Sequence, residues 1–174
     1  MTQVPEKKLQ ETIVAYNRPL THYVALIVGD LERARDIVQE VFIRYWKADY
    51  ETIQTYERPW LFRVSRNLAL DTLKREKRYQ HTDNSELIEL AAMSYQENQS
   101  EGGELLGMME RLPKNQREVM RLKFQYDLSY KEIAEVTGHS VSNVGFLIHT
   151  GIKTMKKKLG EETNKAEATG GKKS

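Results

Sequence analysis

The stretch Ser129–Leu159, SYKEIAEVTGHSVSNVGFLIHTGIKTMKKKL, constrains the fold more than any other part of this chain. Its spacing predicts a short helix that buries Ile133, Ala134 and Val136, with the small Ala134 placed where two helices cross closely. Gly138 follows four residues later, where a tight turn needs a residue free to take positive φ. Ser140 or Ser142 can cap a second helix, because a hydroxyl accepts a hydrogen bond from an unpaired backbone N–H. Val144, Leu147, Ile148 and Ile152 then recur at helical spacing and lock that helix onto the first. An arbitrary helical hairpin with a glycine corner explains these spacings less well than a DNA-type helix-turn-helix does. Duplex DNA is therefore an expected partner.

At 174 residues the chain has room for one large domain or two small ones. The rest of the pattern is helical too, and no stretch alternates long enough to argue for a sheet. A first helix is expected from about Glu6 to Val28, with Leu9, Ile13, Leu20, Val24 and Ile27 on one face and Pro19 as a kink or break. Gly29 should end it and Asp30 should cap a second helix reaching Lys47. Residues 49–57 read as a loop. A third helix starts near Pro59 and runs to about Tyr79, with Leu61, Val64 and Leu68 buried. The expected organisation is all-α: a helical domain over residues 6–79, a linker over 80–103 that could hold a short helix at Leu87–Met93, a four-helix domain over 104–159, and a disordered tail over 160–174.

Charge distribution says more than the total of +2. Between Arg58 and Arg78 lie Arg63, Arg66, Lys74, Arg75 and Lys77, against only Asp71 and Glu76. Residues 79–110 hold no Lys or Arg but carry Asp83, Glu86, Glu89, Glu97, Glu101, Glu104 and Glu110. Lys153, Lys156, Lys157 and Lys158 restore positive charge. Two nucleic-acid-binding modules joined by a segment that DNA repels fit this layout. Cysteine is absent, so disulfides and thiolate metal sites are excluded and a reducing, cytoplasmic setting is expected. No apolar run approaches the ~20 residues of a membrane span, and no signal-peptide pattern opens the sequence.

Two further constellations bear on function. On the second helix Ala34, Ile37, Val38, Val41 and Tyr45 form a core stripe, while Asp36, Gln39, Glu40, Ile43 and Lys47 fall opposite. That opposite face is either solvated or, given Ile43 among polar groups, a protein-docking patch. Tyr50, Tyr56, Trp60 and Phe62 are interleaved with Arg58, Arg63, Arg66 and Asn67. Such a pattern suits single-stranded nucleic acid, since cations track phosphates and rings receive unstacked bases. At least one of Trp60 and Phe62 should be core instead, and Trp60 more than Phe62. His22, His81, His139 and His149 show no metal-ligand spacing and no phosphate loop exists, so neither an enzyme nor a metal or other cofactor is expected.

RDIVQEVFIRYWK (35–47) with WLFRVSRNLALDTLKREKR (60–78) resembles region 2 of bacterial extracytoplasmic-function sigma factors. LPKNQREVMRLKF (112–124), followed by the helix-turn-helix, resembles their region 4. The resemblance implies a promoter-specificity subunit of RNA polymerase, with core polymerase (its β′ and β subunits), promoter DNA and an anti-sigma factor as partners. It implies polymerase docking through Asp36, Gln39, Glu40 and Ile43. It implies −10 element contacts from Tyr56, Phe62, Arg63, Arg66, Asn67 and Lys74, and −35 element contacts from Ser140, Ser142, Asn143, Phe146, His149 and Lys153. The chain departs from the family in the −35 reader: a Thr-Val-Lys/Arg-Ser-Arg run is common there, whereas Asn143, Val144, Gly145, Phe146, Leu147 and Thr150 stand here. Two other functions fit less of the sequence. A sigma-like protein that only sequesters an anti-sigma factor would not need the basic face of Arg63, Arg66, Lys74 and Lys77. A dimeric repressor would leave the Asp36–Glu40 face and the aromatic loop unexplained.

Overall fold

The computed structural model describes residues 1–77 and 101–170. Eight helices make up the described chain: α1 (Glu6–Val28), α2 (Leu31–Lys47), α3 (Tyr50–Ile53), α4 (Glu57–Lys77), α5 (Glu101–Glu110), α6 (Lys114–Phe124), α7 (Tyr130–Thr137) and α8 (Val141–Gly170). They form two compact units, the first built on α1–α4 and the second on α5–α8.

Helix α1 ends where Gly29 adopts φ 77°, and its N–H returns to the Ala25 carbonyl. Asp30 then accepts the Arg33 N–H at 2.8 Å and starts α2. Pro19 does not break α1. An interior proline costs about 3 kcal/mol, but Leu20, Tyr23 and Val24 around it are buried, and each such side chain contributes about 1.5–3 kcal/mol. Packing outweighs propensity. The core of α1 is Leu20, Tyr23, Val24, Ala25 and Val28, while Leu9, Ile13 and Ile27 are only half-buried. Helix α2 buries Ala34, Ile37, Val38, Val41 and Tyr45 as its spacing demands, together with Phe42.

Two features of the next segment differ from the sequence expectation. Residues 50–53 form one helical turn, held by the buried Ile53 and by Asp49, which accepts the Thr52 hydroxyl at 2.7 Å. Helix α4 starts at Glu57, two residues before Pro59, which is harmless because a first-turn N–H has no intrahelical partner anyway. Its buried stripe is Leu61, Phe62, Ser65 and Ala69; Val64 and Leu68 are half-buried. Phe62 is 1% exposed and packs on Tyr23 with ring centroids 5.4 Å apart.

In the second unit Met108, Met109, Leu112, Val119, Met120 and Leu122 pack with Ile148 and Met155 in the core. Arg121, nearly buried on α6, pairs with Glu110 at the end of α5. Helix α7 opens with a reciprocal cap: Ser129 Oγ accepts the Glu132 N–H at 3.2 Å and Glu132 accepts the Ser129 N–H at 2.7 Å. Gly138 takes φ 79° in the turn, and Ser140 Oγ accepts the Asn143 N–H at 3.1 Å to cap α8. Ile133 and Val136 are buried while Ala134 is half-buried; Val144 and Ile148 are buried while Leu147 and Ile152 are half-buried.

The segmentation differs from expectation at two places. Helix α5 begins at Glu101, not Glu104, so the last residues assigned to the linker are helical. Residues 80–100, with the short helix expected at Leu87–Met93, lie outside the described residues. Helix α8 continues through residues 160–170 in place of a disordered tail. Ala166, Ala168, Lys165 and the glutamates there are strong helix formers, and a helix already nucleated on the core extends cheaply.

Gly145 and Gly151, both in α8, have opposite roles. A Cβ on Gly145 would meet the Tyr130 ring at 3.6 Å, an ordinary contact. A Cβ on Gly151 would meet Met120 Cγ at 3.0 Å and Sδ at 3.1 Å, so Gly151 lets α8 approach α6. Gly145→Ala should stabilise the second unit by about 0.5–1 kcal/mol. Gly151→Leu should destabilise it by about 1–3 kcal/mol through overpacking. Urea unfolding of the two variants checks both signs.

Candidate nucleic-acid and protein interfaces

Helix α2 is amphipathic in a way that sets up the first surface. With its core stripe turned inward, Asp36, Gln39 and Ile43 are exposed and Glu40 is half-buried. Glu40 pairs with Arg44 one turn on at 2.8 Å, a surface pair worth only about 0.3–0.5 kcal/mol and easily exchanged for a partner's cation. Asp36, Gln39 and Ile43 also line a groove of about 1030 Å³ between α1 and α2. Its apolar floor and walls come from Leu9, Ile13, Leu26, Leu31, Phe42 and Trp46, and its rim carries Arg18, Arg35 and His22. Ile43 is 41% exposed and Trp46 45%. Trp46 was not singled out in the sequence, and Leu9 and Ile13 were read there only as part of the apolar face of the first helix; the signal was Trp46, one turn from the core Phe42 and beside the charged Lys47.

The second surface is on α4. Arg63, Asn67 and Lys74 are exposed and share one face at helical spacing, flanked by the half-buried Arg66 and Tyr56. Phe62 leaves this set: its ring faces the core against Tyr23, so it cannot receive a base, and the expectation that Trp60 is the more deeply buried ring is reversed. Trp60 is half-buried, tilted at 56° against Tyr45 with centroids 6.0 Å apart. The reason is register. Placing Leu61, Ser65 and Ala69 inward brings Phe62 toward α1 and leaves Trp60 at the edge.

A carboxylate not picked out by sequence reading anchors the start of α4. Glu57 Oε1 accepts the Thr12 hydroxyl at 2.6 Å and the Tyr45 hydroxyl at 2.7 Å, and Oε2 pairs with Lys8 at 2.8 Å. Three helices thus meet on one side chain. Burial pushes the Glu57 carboxyl up, but the hydrogen bonds from Lys8, Thr12 and Tyr45 and the ammonium charge outweigh it, leaving the pKa below its ordinary 4.5. The bond to Glu57 holds Lys8 above its ordinary 10.5. Burial, with the adjacent carboxylate, raises the Tyr45 phenol well above the usual range. The turn just before α4 is tied down as well: Thr2 N–H and hydroxyl donate to Asp49 and Glu51 at 3.0 and 2.7 Å, and Tyr50 N–H donates to the Thr2 carbonyl at 2.7 Å. Donors from Thr52 and Thr2 lower the Asp49 pKa.

The third surface is on α8. Ser142, Asn143, Phe146, His149 and Lys153 are exposed on one face, opposite the buried Val144, Ile148, Gly151 and Met155, and Ser140 is exposed at the cap. Phe146 is 65% exposed. The Asn143 side-chain amide lies 3.2 Å from His139 Nδ1. Between Ser142 and Thr150 this face holds no Lys or Arg, and Lys153 is its first cation.

An all-helical pair of units, one presenting a cationic helix and the other a capped helix-turn-helix, matches known families. The model of "Sigma-70 region 2" matches residues 12–79 and that of "Sigma-70, region 4" matches residues 102–155. The chain is 29% identical over 139 residues to the ECF RNA polymerase sigma factor SigM of Bacillus subtilis (strain 168), covering 78% of this chain and 85% of SigM. It is 29% identical over 139 residues to the ECF RNA polymerase sigma factor EcfG of Rhodopseudomonas palustris (strain TIE-1), covering 78% and 76%. The fold matches a solved structure of CnrH in complex with the cytosolic domain of CnrY, with TM-score 0.59, 20% identity and 90% of each chain covered. The chain belongs to the sigma-70 family of RNA polymerase sigma factors, in its extracytoplasmic-function group. It is a transcription initiation factor whose partners are core RNA polymerase and promoter DNA.

The Glu57 network carries its own pH signature. A depressed carboxyl pKa adds stability that is present above the unfolded value and lost as pH falls through the folded one; the raised Lys8 pKa adds stability present below 10.5 and lost as pH rises through the folded value. The stability difference between wild type and Glu57→Gln should therefore be flat from about pH 5.5 to about pH 9 and shrink beyond either end. Urea titrations across pH measure it.

Proposed function

We propose that the α2 face of Asp36, Gln39, Glu40 and Ile43 docks on the β′ clamp helices of core polymerase. The observation that carries this reading is the apolar groove beside those residues, where exposed Ile43 and Trp46 lie next to exchangeable charges. An interface of this kind wants a desolvated apolar centre and a polar rim. Helix α4 contributes −10 contacts through Tyr56, Arg63, Arg66, Asn67 and Lys74, with Trp60 in place of Phe62 as the ring at the edge. Helix α8 contributes −35 contacts through Ser140, Ser142, Asn143, Phe146, His149 and Lys153, with additional attachment through the β subunit. The protein acts without catalysis of its own, in the cytoplasm. Among the described residues no helix is long and apolar enough to cross a membrane. An anti-sigma factor is its regulator in this reading, supported by the similar fold of CnrH having been captured with the cytosolic domain of another protein.

Gln39→Ala combined with Glu40→Lys should abolish binding to core polymerase while leaving the helical signal intact, because both positions are on the surface and charge reversal in a docking patch costs several kcal/mol. Unchanged affinity in a pull-down, with normal circular dichroism, would overturn the docking assignment.

The α8 face makes the −35 contact electrostatically weak. The free full-length protein should bind a −35 duplex with a shallow salt dependence, since few counterions are released. Thr150→Arg, on that face, should tighten binding across sequences and increase the log–log salt slope by about one. Fluorescence anisotropy between low and moderate salt reads both values.

A further inference from the structure

We propose that Glu57 is a positioning residue for promoter opening: it joins α1, α2 and α4 and, through Tyr45, sets Trp60 at the edge of the cationic α4 face. The inference rests on the reading of α4 as the −10 surface and adds a residue that this reading does not include.

Three observations carry it. Thr12 and Tyr45 converge with Lys8 on one carboxylate in the first turn of α4, at 2.6, 2.7 and 2.8 Å. Tyr45 has two contacts on this site, its hydroxyl on Glu57 and its ring against Trp60. The preceding turn is fastened separately by Thr2 to Asp49, Tyr50 and Glu51. The segment leading into α4, residues 49–57, is therefore held at both ends before any DNA arrives.

Stability alone does not require a carboxylate here. Apolar side chains of similar volume commonly do as well as a buried charged network, whereas directional hydrogen bonds fix one arrangement among several. The first turn of a helix is where fraying begins, because its N–H groups lack partners. Without Glu57 the Tyr45 hydroxyl is left with only the Thr12 hydroxyl, 3.3 Å away, the first turn of α4 loses its tie to α1 and α2, and Trp60 loses its fixed angle. Strand opening then has to order these groups itself, a cost that a preorganised site avoids.

The test uses holoenzyme assembled from the full-length chain and core polymerase, on a promoter recovered by wild-type holoenzyme from genomic fragments. Opening is followed by permanganate reactivity on that promoter as closed duplex and as a version carrying a pre-opened bubble. Glu57→Ala should open the duplex about tenfold more slowly, with polymerase affinity within about twofold of wild type and a deficit on the bubble of no more than about twofold. Glu57→Gln keeps an acceptor for Thr12 and Tyr45 and should restore most of the rate. Tyr45→Phe keeps the ring and removes one donor, and should fall between. If Glu57→Ala does not fold, the Gln and Phe variants decide the matter alone.

Wild-type opening by folded Glu57→Ala, or by Tyr45→Phe where the alanine variant does not fold, overturns the proposal. So does an equal loss on duplex and bubble that tracks thermal stability, which would make Glu57 a structural residue only. Arg63→Ala and Asn67→Ala run alongside. If these also open the duplex at wild-type rate, the −10 reading of α4 fails and takes the inference with it; if they are slow while Glu57→Ala is not, only the positioning role is lost.

Discussion

A helix that buries one stripe of side chains thereby exposes another, and the three helices that carry interface residues are each locked this way. Helix α2 is fixed by Ala34, Val38, Val41 and Tyr45, α4 by Leu61, Phe62, Ser65 and Ala69, and α8 by Val144, Ile148, Gly151 and Met155. A rotation of α4 by one residue, about 100°, would take Arg63 and Asn67 off their shared face and bring Phe62 out of the core. The two small cores are therefore the devices that aim every contact residue, and the polar ties at Glu57 and Ser140 hold the helix starts from which those residues project.

Much of this was legible in the sequence because it depends on strong local signals. Gly29 followed by Asp30 marks a helix stop and start, and Gly138 with Ser140 marks another, since positive φ and side-chain capping leave few alternatives. The α2 stripe was equally plain, with five apolar positions at helical spacing and polar residues between them. Helix α4 was harder. Its apolar side chains at 60, 61, 62, 64, 68, 69, 70 and 73 fit more than one stripe, and only the presence of Tyr23 on α1 decides that Phe62 turns inward. Trp60 could not be placed without knowing that Tyr45 would lie beside it. Glu57 read as the last residue of a loop, and its three donors are 12, 45 and more residues away, so no local pattern announces them. The α1–α2 groove was missed for a related reason: half-buried Leu9 and Ile13 read as core until the neighbouring helix leaves one side of them open.

The three surfaces differ in kind. The α2 groove is apolar with separated charges, suited to a protein partner whose contact survives salt. The α4 face is cationic with an aromatic edge, so its proposed −10 contact would be long-ranged and salt-sensitive. The α8 face is polar and aromatic without a cation until Lys153, so in its proposed −35 role it would discriminate by shape and hydrogen bonding more than it attracts. Under the proposed roles, binding energy and selectivity are divided among different helices. A sequence-reading helix that contributes little attraction of its own is selective only when something else has already brought it to the DNA, which reduces retention at unrelated sites.

Helix α8 runs unbroken from its cap at Ser140 to Gly170, a rod of 30 residues and about 45 Å. Its last turns, from Gly160 to Ala168, are exposed on all sides, and this part of the rod meets the body where Arg111 lies 3.5 Å from Glu162. A continuous helix carries rotation along its axis, so a load applied to the far turns acts as a torque on the residues proposed to face the groove of DNA. Inserting a single residue near Gly160 would swing the far turns by about 100° while leaving the reading end in register. The two ends of one helix are thereby coupled mechanically yet free to change separately in sequence.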